Sequence, residues 1–326
     1  MRAVIVRRPG GVEQLELAEV PAPVPGAGEV LIDVAFCGLN WADTMIRVGT
    51  YPHPFTYPVI PGLEVSGSVA AVGPGVTRVQ PGNRVIGFNE KGGGYAEQFL
   101  CAQEAVIPVP AAMSLQDAAA FPVQGLTAWH MLHTVGRMES GQWVLVHAIG
   151  GGVGLWCTQL AVRAGARVIG TVGTPGKERR PLEFGASRVI QSRTEDLEEV
   201  VSDLTGGAGV DLAVDSLGAR TLDRTFNVVR KLGHVISIGE AEGVPYQNIR
   251  ERLLPRSLTF TRFDLGHVDP ASRAWATGLA QVVGGILDRS LVVPMEQTYP
   301  LESAREMHAH IESRQLSGKL LLWVGG

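Results

Sequence analysis

The chain has 326 residues, 45% apolar and 18% charged, which is enough for two globular domains with ample core. Its formal net charge of −4 offers no electrostatic footprint for nucleic acid or an anionic membrane, and no apolar run reaches the ~18 residues of a membrane helix. The three cysteines, Cys37, Cys101 and Cys157, are scattered, with neither a disulfide framework nor paired zinc spacing, so a reducing cytoplasm is the expected compartment.

Residues 1–8 alternate like a first strand and lack the long apolar core of a signal peptide. Short apolar runs at 30–34, 68–72, 84–87 and 105–109, punctuated by Pro and Gly, predict a β-rich region of irregular barrel or sandwich type up to about residue 118. A short helix is expected over 40–47, and a Pro-rich loop over 51–61. Ser114 is placed to cap a helix beginning at Leu115, with Asp117 in its first turn. A second helix over 127–135 leads into the next region.

There, residues 142–177 read as strand, glycine turn, helix and strand. Val144-Leu145-Val146 is the apolar run of a buried parallel strand. Gly150, Gly151, Gly152 and Gly154 follow, with Val153 between the last two. A helix is expected over about 154–164, closed by Gly165, and a second strand over 167–172. A glycine-lined turn at a helix start suits a pyrophosphate: small residues allow close backbone approach, and the helix end offers free N–H groups. The fingerprint is incomplete, with Ile149 at the first position of the Gly-x-Gly-x-x-Gly pattern, and its weight comes from the strand–helix–strand context. The second strand runs into 172–177 without the acidic residue that reads ribose hydroxyls in NAD enzymes. Lys177, Arg179 and Arg180 follow instead. A cation without a carboxylate suits a 2′-phosphate, so NADPH is expected over NADH, with Lys177 favoured and Arg179 and Arg180 equally readable as a solvated helix face.

The alternation then continues. Strands at 188–190, 210–215, 234–239 and 258–263, with helices at 195–204 and 220–229, imply a doubly wound parallel sheet. Beyond residue 264, a long helix over 271–287, a strand near Val292, a helix over 301–313 and a strand over 320–324 exceed what one such sheet needs. They are expected to return to the first domain.

Several landmarks taken together identify a resemblance. They are Gly38-Leu39-Asn40-Trp41-Ala42-Asp43 with Arg47-Val48-Gly49-Thr50-Tyr51-Pro52, Pro61-Gly62-Leu63-Glu64-Val65-Ser66-Gly67, Gly94-Tyr95-Ala96-Glu97, His147-Ala148 with Gly151-Gly152-Val153-Gly154, and Asp215-Ser216-Leu217-Gly218. The chain resembles, over nearly its whole length, the zinc-free quinone oxidoreductases of the medium-chain dehydrogenase/reductase superfamily. That resemblance implies an α/β protein with a GroES-like irregular β-barrel catalytic domain (1–122, completed by 264–326) and an inserted Rossmann NADPH-binding domain (123–263). It also implies a homodimer paired through the Rossmann domain.

The resemblance places Asn40, Tyr51 and Gln124 around the nicotinamide and substrate, and Thr127 near the cofactor's inner face. Gly151, Gly152, Val153, Gly154, Thr171, Lys177, Ser216, Gly239 and Arg262 are the expected cofactor residues. Tyr51 reads either as a proton or hydrogen-bond donor or as a loop tyrosine packed on prolines. Zinc-dependent relatives carry Cys where this chain has Asn40 and His where it has Leu63, and neither replacement serves as a zinc ligand. Asp43 and Glu64 lie near that vacated position and read more readily as structural hydrogen-bonding groups. No metal is therefore expected. Without a Lewis acid, hydride acceptors at carbon are favoured, namely quinones or alkenes conjugated to a carbonyl. An enoyl-thioester reductase and a non-catalytic NADPH-binding redox sensor are the alternatives.

Overall fold

The computed structural model describes residues 1–244 and 246–325. The chain divides into two compact units, Met1–Val123 with Val292–Gly326, and Gln124–Leu291.

The first unit is built on a seven-stranded sheet. Its order is Met295–Pro300, Lys319–Trp323, Glu29–Gly38, Glu64–Val72, Arg84–Phe88 and Val106–Pro108, and Gln98–Ala102 also pairs with Glu29–Gly38. Arg2–Val6 and Leu15–Glu19 form a separate antiparallel pair. Alternate residues of the long central strand, Val30, Ile32 and Val34, enter a core with Val85, Phe99, Leu320 and Leu322. Register shifts between Leu31 and Ile32 and between Val34 and Phe36 interrupt that strand, as bulges do where a sheet bends. Helix Trp41–Val48 begins at Asn40, whose backbone N–H donates to Asp43 Oδ2 at 2.8 Å, and ends at Gly49 with φ 85°. Helix Leu115–Ala120 carries the expected cap, with Ser114 Oγ accepting from the Asp117 N–H at 2.9 Å.

The second unit holds a six-stranded parallel sheet. Its strands are β1 (Trp143–Val146), β2 (Arg167–Val172), β3 (Arg188–Gln191), β4 (Val210–Asp215), β5 (Val229–Ser237) and β6 (Thr259–Arg262). They lie in the order β3-β2-β1-β4-β5-β6, the doubly wound arrangement whose switch point falls between β1 and β4. Nearly continuous burial of Val144, Leu145, Val146, Val168, Ile169, Ala213 and Val214 is what a parallel sheet covered on both faces requires.

Three expectations are corrected. The helix expected over 127–135 starts earlier, at Pro122, and passes at His130 into a π-helical segment that ends at Val135. Pro at a first helical position has no N–H to waste, which favours that earlier start. The helix at the glycine turn begins at Gly152, not Gly154, so Gly152 and Val153 belong to its first turn. Finally, the chain returns to the first unit at Val292 rather than 264. Helix Arg273–Leu287 stays with the second unit, where Gly278 admits the Trp129 ring so closely that a Cβ would stand 2.6 Å from Cε3. Trp275 stacks on His130 with centroids 5.9 Å apart, beside the buried Val282.

Candidate functional site

In the second unit the turn after β1 is shaped by backbone contacts. Ala148 adopts a left-handed conformation, φ 49°, and its carbonyl accepts the Gly151 N–H at 2.9 Å. A Cβ at Gly154 would stand 2.6 Å from Ile149 Cα and O and 2.8 Å from Ala148 O, so only glycine lets the helix sit down on the turn. Gly152 meets the Gln124 amide in the same way. Gln124 and Thr127 lie one helical turn apart on Pro122–Trp129, each 8% exposed. Gln124 Oε1 is a buried acceptor with no partner among the described residues. The result is a glycine-lined cradle with an unsatisfied acceptor beside it, an arrangement that costs stability unless something fills it.

The ends of β2, β4, β5 and β6 complete this region. The segment after β2 folds over the turn: a methyl group at Gly150 would stand 3.0 Å from Lys177 Cβ and 3.3 Å from its Cε. Lys177 is thereby brought to the cradle. Arg179 lies on the exposed face of Arg179–Glu183 and pairs with Glu183 at 2.9 Å. Ser216 and Gly239 are adjacent, since a Cβ on Gly239 would approach Ser216 O to 2.7 Å. Arg262, the last residue of β6, is paired in register with Ser237. Its charge reaches Asp215, where burial pushes the carboxyl up to about 7. N–H bonds from Leu217 and Gly218 act against that rise, Glu242 adds to it, and Arg262 again opposes it.

Thr171 is placed differently from its expected role. Thr225 Oγ1 gives its proton to Thr221 O, so His147 Nε2 must donate to Thr225 at 2.8 Å, and Nδ1 accepts from Thr171 at 2.9 Å. The hydroxyl proton of Thr171 is thus directed at His147, which leaves that hydroxyl able only to accept from a further group. Burial holds the imidazole neutral, with a pKa near 3. The pair fixes the end of β1 against β2.

The first unit carries Asn40 and Tyr51. Tyr51 is half-buried in an aromatic group with His53 and Phe55, centroids 5.6 and 5.9 Å away. Asn40 belongs to a polar cluster with Glu64 and Asp43, and its remaining member, Lys319, was not among the residues singled out in the sequence. Its Nδ2 donates to Glu64 Oε1 at 2.8 Å. Lys319 Nζ donates to Asn40 Oδ1 at 2.8 Å and to Glu64 Oε1 at 2.6 Å. The side chains of Lys319 and Glu64 are both wholly buried.

The Val123 N–H fills Glu64 Oε2 at 2.7 Å, and Asp43 accepts from the N–H groups of Asn40 and Gly62. Burial raises the Asp43 carboxyl to about 7, against those two bonds. The sheet explains the meeting. Gly38 pairs with Leu321 across an antiparallel ladder, so Asn40 falls opposite Lys319. A Cβ at Gly38 would stand 2.8 Å from Glu64 Oε1 and 2.9 Å from Lys319 Cε. One signal was available in the sequence: a lysine opening the apolar strand Lys319–Trp323, because lysine enters a core only when paired.

Comparison with known proteins follows the same division. A family model described as an alcohol dehydrogenase GroES-like domain matches residues 26–111, and one described as a zinc-binding dehydrogenase matches 152–282. A 2-haloacrylate reductase of a Burkholderia species is 33% identical, covering 98% of each chain. Quinone oxidoreductase 1 of Escherichia coli K12 is 34% identical over 96% of each. The crystal structure of the Escherichia coli quinone oxidoreductase complexed with NADPH superposes with a TM-score of 0.94 at 32% identity, over 99% of this chain and all of that one.

Proposed function

The chain belongs to the quinone oxidoreductase branch of the medium-chain dehydrogenase/reductase superfamily, and on that footing we propose that it is an NADPH-dependent enzyme reducing quinones or α,β-unsaturated carbonyls without zinc. The observation that carries the reading is the glycine cradle with the unpartnered Gln124 acceptor beside it. Gly151, Gly152, Val153 and Gly154 hold the pyrophosphate against the helix start. Gln124 Oε1 accepts from the nicotinamide carboxamide, and Lys177 pairs with the 2′-phosphate. Ser216, Gly239 and Arg262 line the neighbouring strand ends, and Thr127 sits on the inner face. The cofactor supplies a hydride from nicotinamide C4. Asn40 and Tyr51 serve the acceptor's carbonyl, Tyr51 by donating a hydrogen bond or proton. The protein acts in the cytoplasm as a homodimer.

The residues at the metal position of zinc-dependent relatives do not fit a zinc ion. Asn40 and Leu63 offer an amide and an alkyl group. Both oxygens of Glu64 are engaged, one of them by an ammonium that repels a second cation. The relative acting on 2-haloacrylate favours the conjugated-alkene reading within this class.

The test is NADPH oxidation across a panel of quinones and enones, with products identified. Hydroquinone products select quinone reduction, and saturated ketones select enone reduction. Tight NADPH binding without turnover on any acceptor overturns the enzyme reading in favour of a redox sensor. Stoichiometric zinc in the purified protein overturns the metal-free mechanism. Tyr51→Phe is expected to lower kcat about tenfold or more, and unchanged turnover removes its proton-donor role.

A further inference from the structure

Asn40 and Lys319 are far apart in sequence and wholly interlocked in the fold. An ammonium can only donate and a carboxylate can only accept, so the Asn40 amide has one permitted orientation: oxygen toward Lys319, nitrogen toward Glu64. Turning it over would set an N–H against an N–H and a carbonyl against a carboxylate. The amide oxygen is therefore occupied. Nδ2 carries two protons and Glu64 takes one. The second has no partner among the described residues, in a side chain only 5% exposed. Such a donor has every reason to find an acceptor.

We propose that Lys319, with Glu64, is a positioning residue: ammonium and carboxylate together fix Asn40 so that the remaining Nδ2–H is a hydrogen-bond donor to the substrate's carbonyl oxygen. The inference rests on the functional reading above for Asn40 facing the substrate. When hydride arrives at carbon, the C=O π electrons of the conjugated acceptor move onto that oxygen, which becomes anionic before it is protonated. A fixed N–H strengthens its bond as the charge grows, so it acts on the transition state more than on binding. An amide free to turn over would present its carbonyl to the same oxygen half the time and repel it. Lys319 thus supplies the chain's own fixed cation for this site, acting through Asn40 and not on the substrate.

Lys319→Met leaves Glu64 charged and unpaired, and that variant can fail to fold. The experiment therefore uses the double variant Lys319→Met/Glu64→Gln, in which the buried charge pair is removed as a unit. Folding is checked by circular dichroism, and NADPH affinity by fluorescence. The probe is p-nitrophenol, whose phenolate imitates an oxygen carrying charge and absorbs at a different wavelength from the phenol. Titrated with the NADP⁺-loaded wild-type protein, it is expected to ionise at a pH lower by about one unit than in buffer. The folded double variant should lose most of that shift with its cofactor affinity unchanged, and Asn40→Asp, which has no N–H, should lose it too. In turnover, kcat of the double variant should fall at least tenfold with KM changed less than threefold.

No phenolate preference in the wild-type protein, or the same preference in all three, overturns the proposal. The probe needs no hydride transfer. A protein that shows the shift but reduces no acceptor therefore retains the positioning role of Lys319 and loses the reductase reading.

Discussion

The two units build their polar sites in opposite ways. In the second, chemistry is carried by backbone: a glycine turn, a helix start and the ends of parallel strands, with Gln124 aimed into the space that Gly152 leaves open. In the first, the polar site is built from side chains buried in a core: Lys319, Glu64 and Asn40 bond to one another where an antiparallel ladder brings Lys319 opposite Asn40. A backbone site fails when bulk is added. A side-chain network fails when a partner is taken away, because the group left behind stays buried and charged.

Adding bulk to the second unit should give the largest effect. Gly154→Val drives a branched side chain into the backbone of Ala148 and Ile149. It is expected to cost about 4 kcal/mol or more and abolish NADPH binding, as read by denaturant unfolding and fluorescence titration. Removing a partner from the first unit comes next. Lys319→Met should cost about 3–5 kcal/mol in unfolding experiments, with NADPH affinity of the folded fraction unchanged. A loss of affinity there would break the contrast drawn between the units.

Acid should blur that contrast, since both units bury neutral histidines. Burial depresses His147 to about 3 and His130 to about 4 in the second unit, and His308 to about 3 in the first. Between those values and 6.5 the unfolded chain binds protons at these histidines that the folded chain refuses, so each of them lowers stability as pH drops through the window, while Asp43 and Asp215, raised from 3.8 to about 7 by burial, oppose that loss. Each such histidine contributes about 1.4 kcal/mol per pH unit below 6.5 until its folded pKa is reached. His147→Asn should flatten the dependence of unfolding free energy on pH between 6 and 4, and an unchanged slope would remove His147 as a contributor.

Smaller effects sharpen the picture of the cofactor end. Lys177→Ala should weaken NADPH about tenfold and leave NADH nearly unchanged, measured as a ratio of Kd values. Arg179→Ala, on the exposed helix face beside Glu183, should change stability by no more than about 0.5 kcal/mol and leave cofactor preference as it was.

The doubly wound sheet was legible in the sequence because strand, turn and helix each follow from local pattern. Val144-Leu145-Val146, the glycines after it and the stop at Gly165 are neighbours whose spacing encodes their geometry. Period and punctuation also placed the cap at Ser114. The return of the chain at Val292 was not legible, because helix Arg273–Leu287 is held by Trp129 and His130, and sequence pattern does not state which helix packs on which. Thr171 was legible as a strand-end residue, but where its one proton goes depends on His147 and Thr225.

By itself the sequence determined the order of the elements and the backbone cradle, since glycine spacing and hydrophobic period act over a few residues. Only the tertiary structure decided the partner of Asn40. Antiparallel register carried Lys319 from the far end of the chain to lie opposite it, and a buried ammonium has no stable place except against the groups that register supplies.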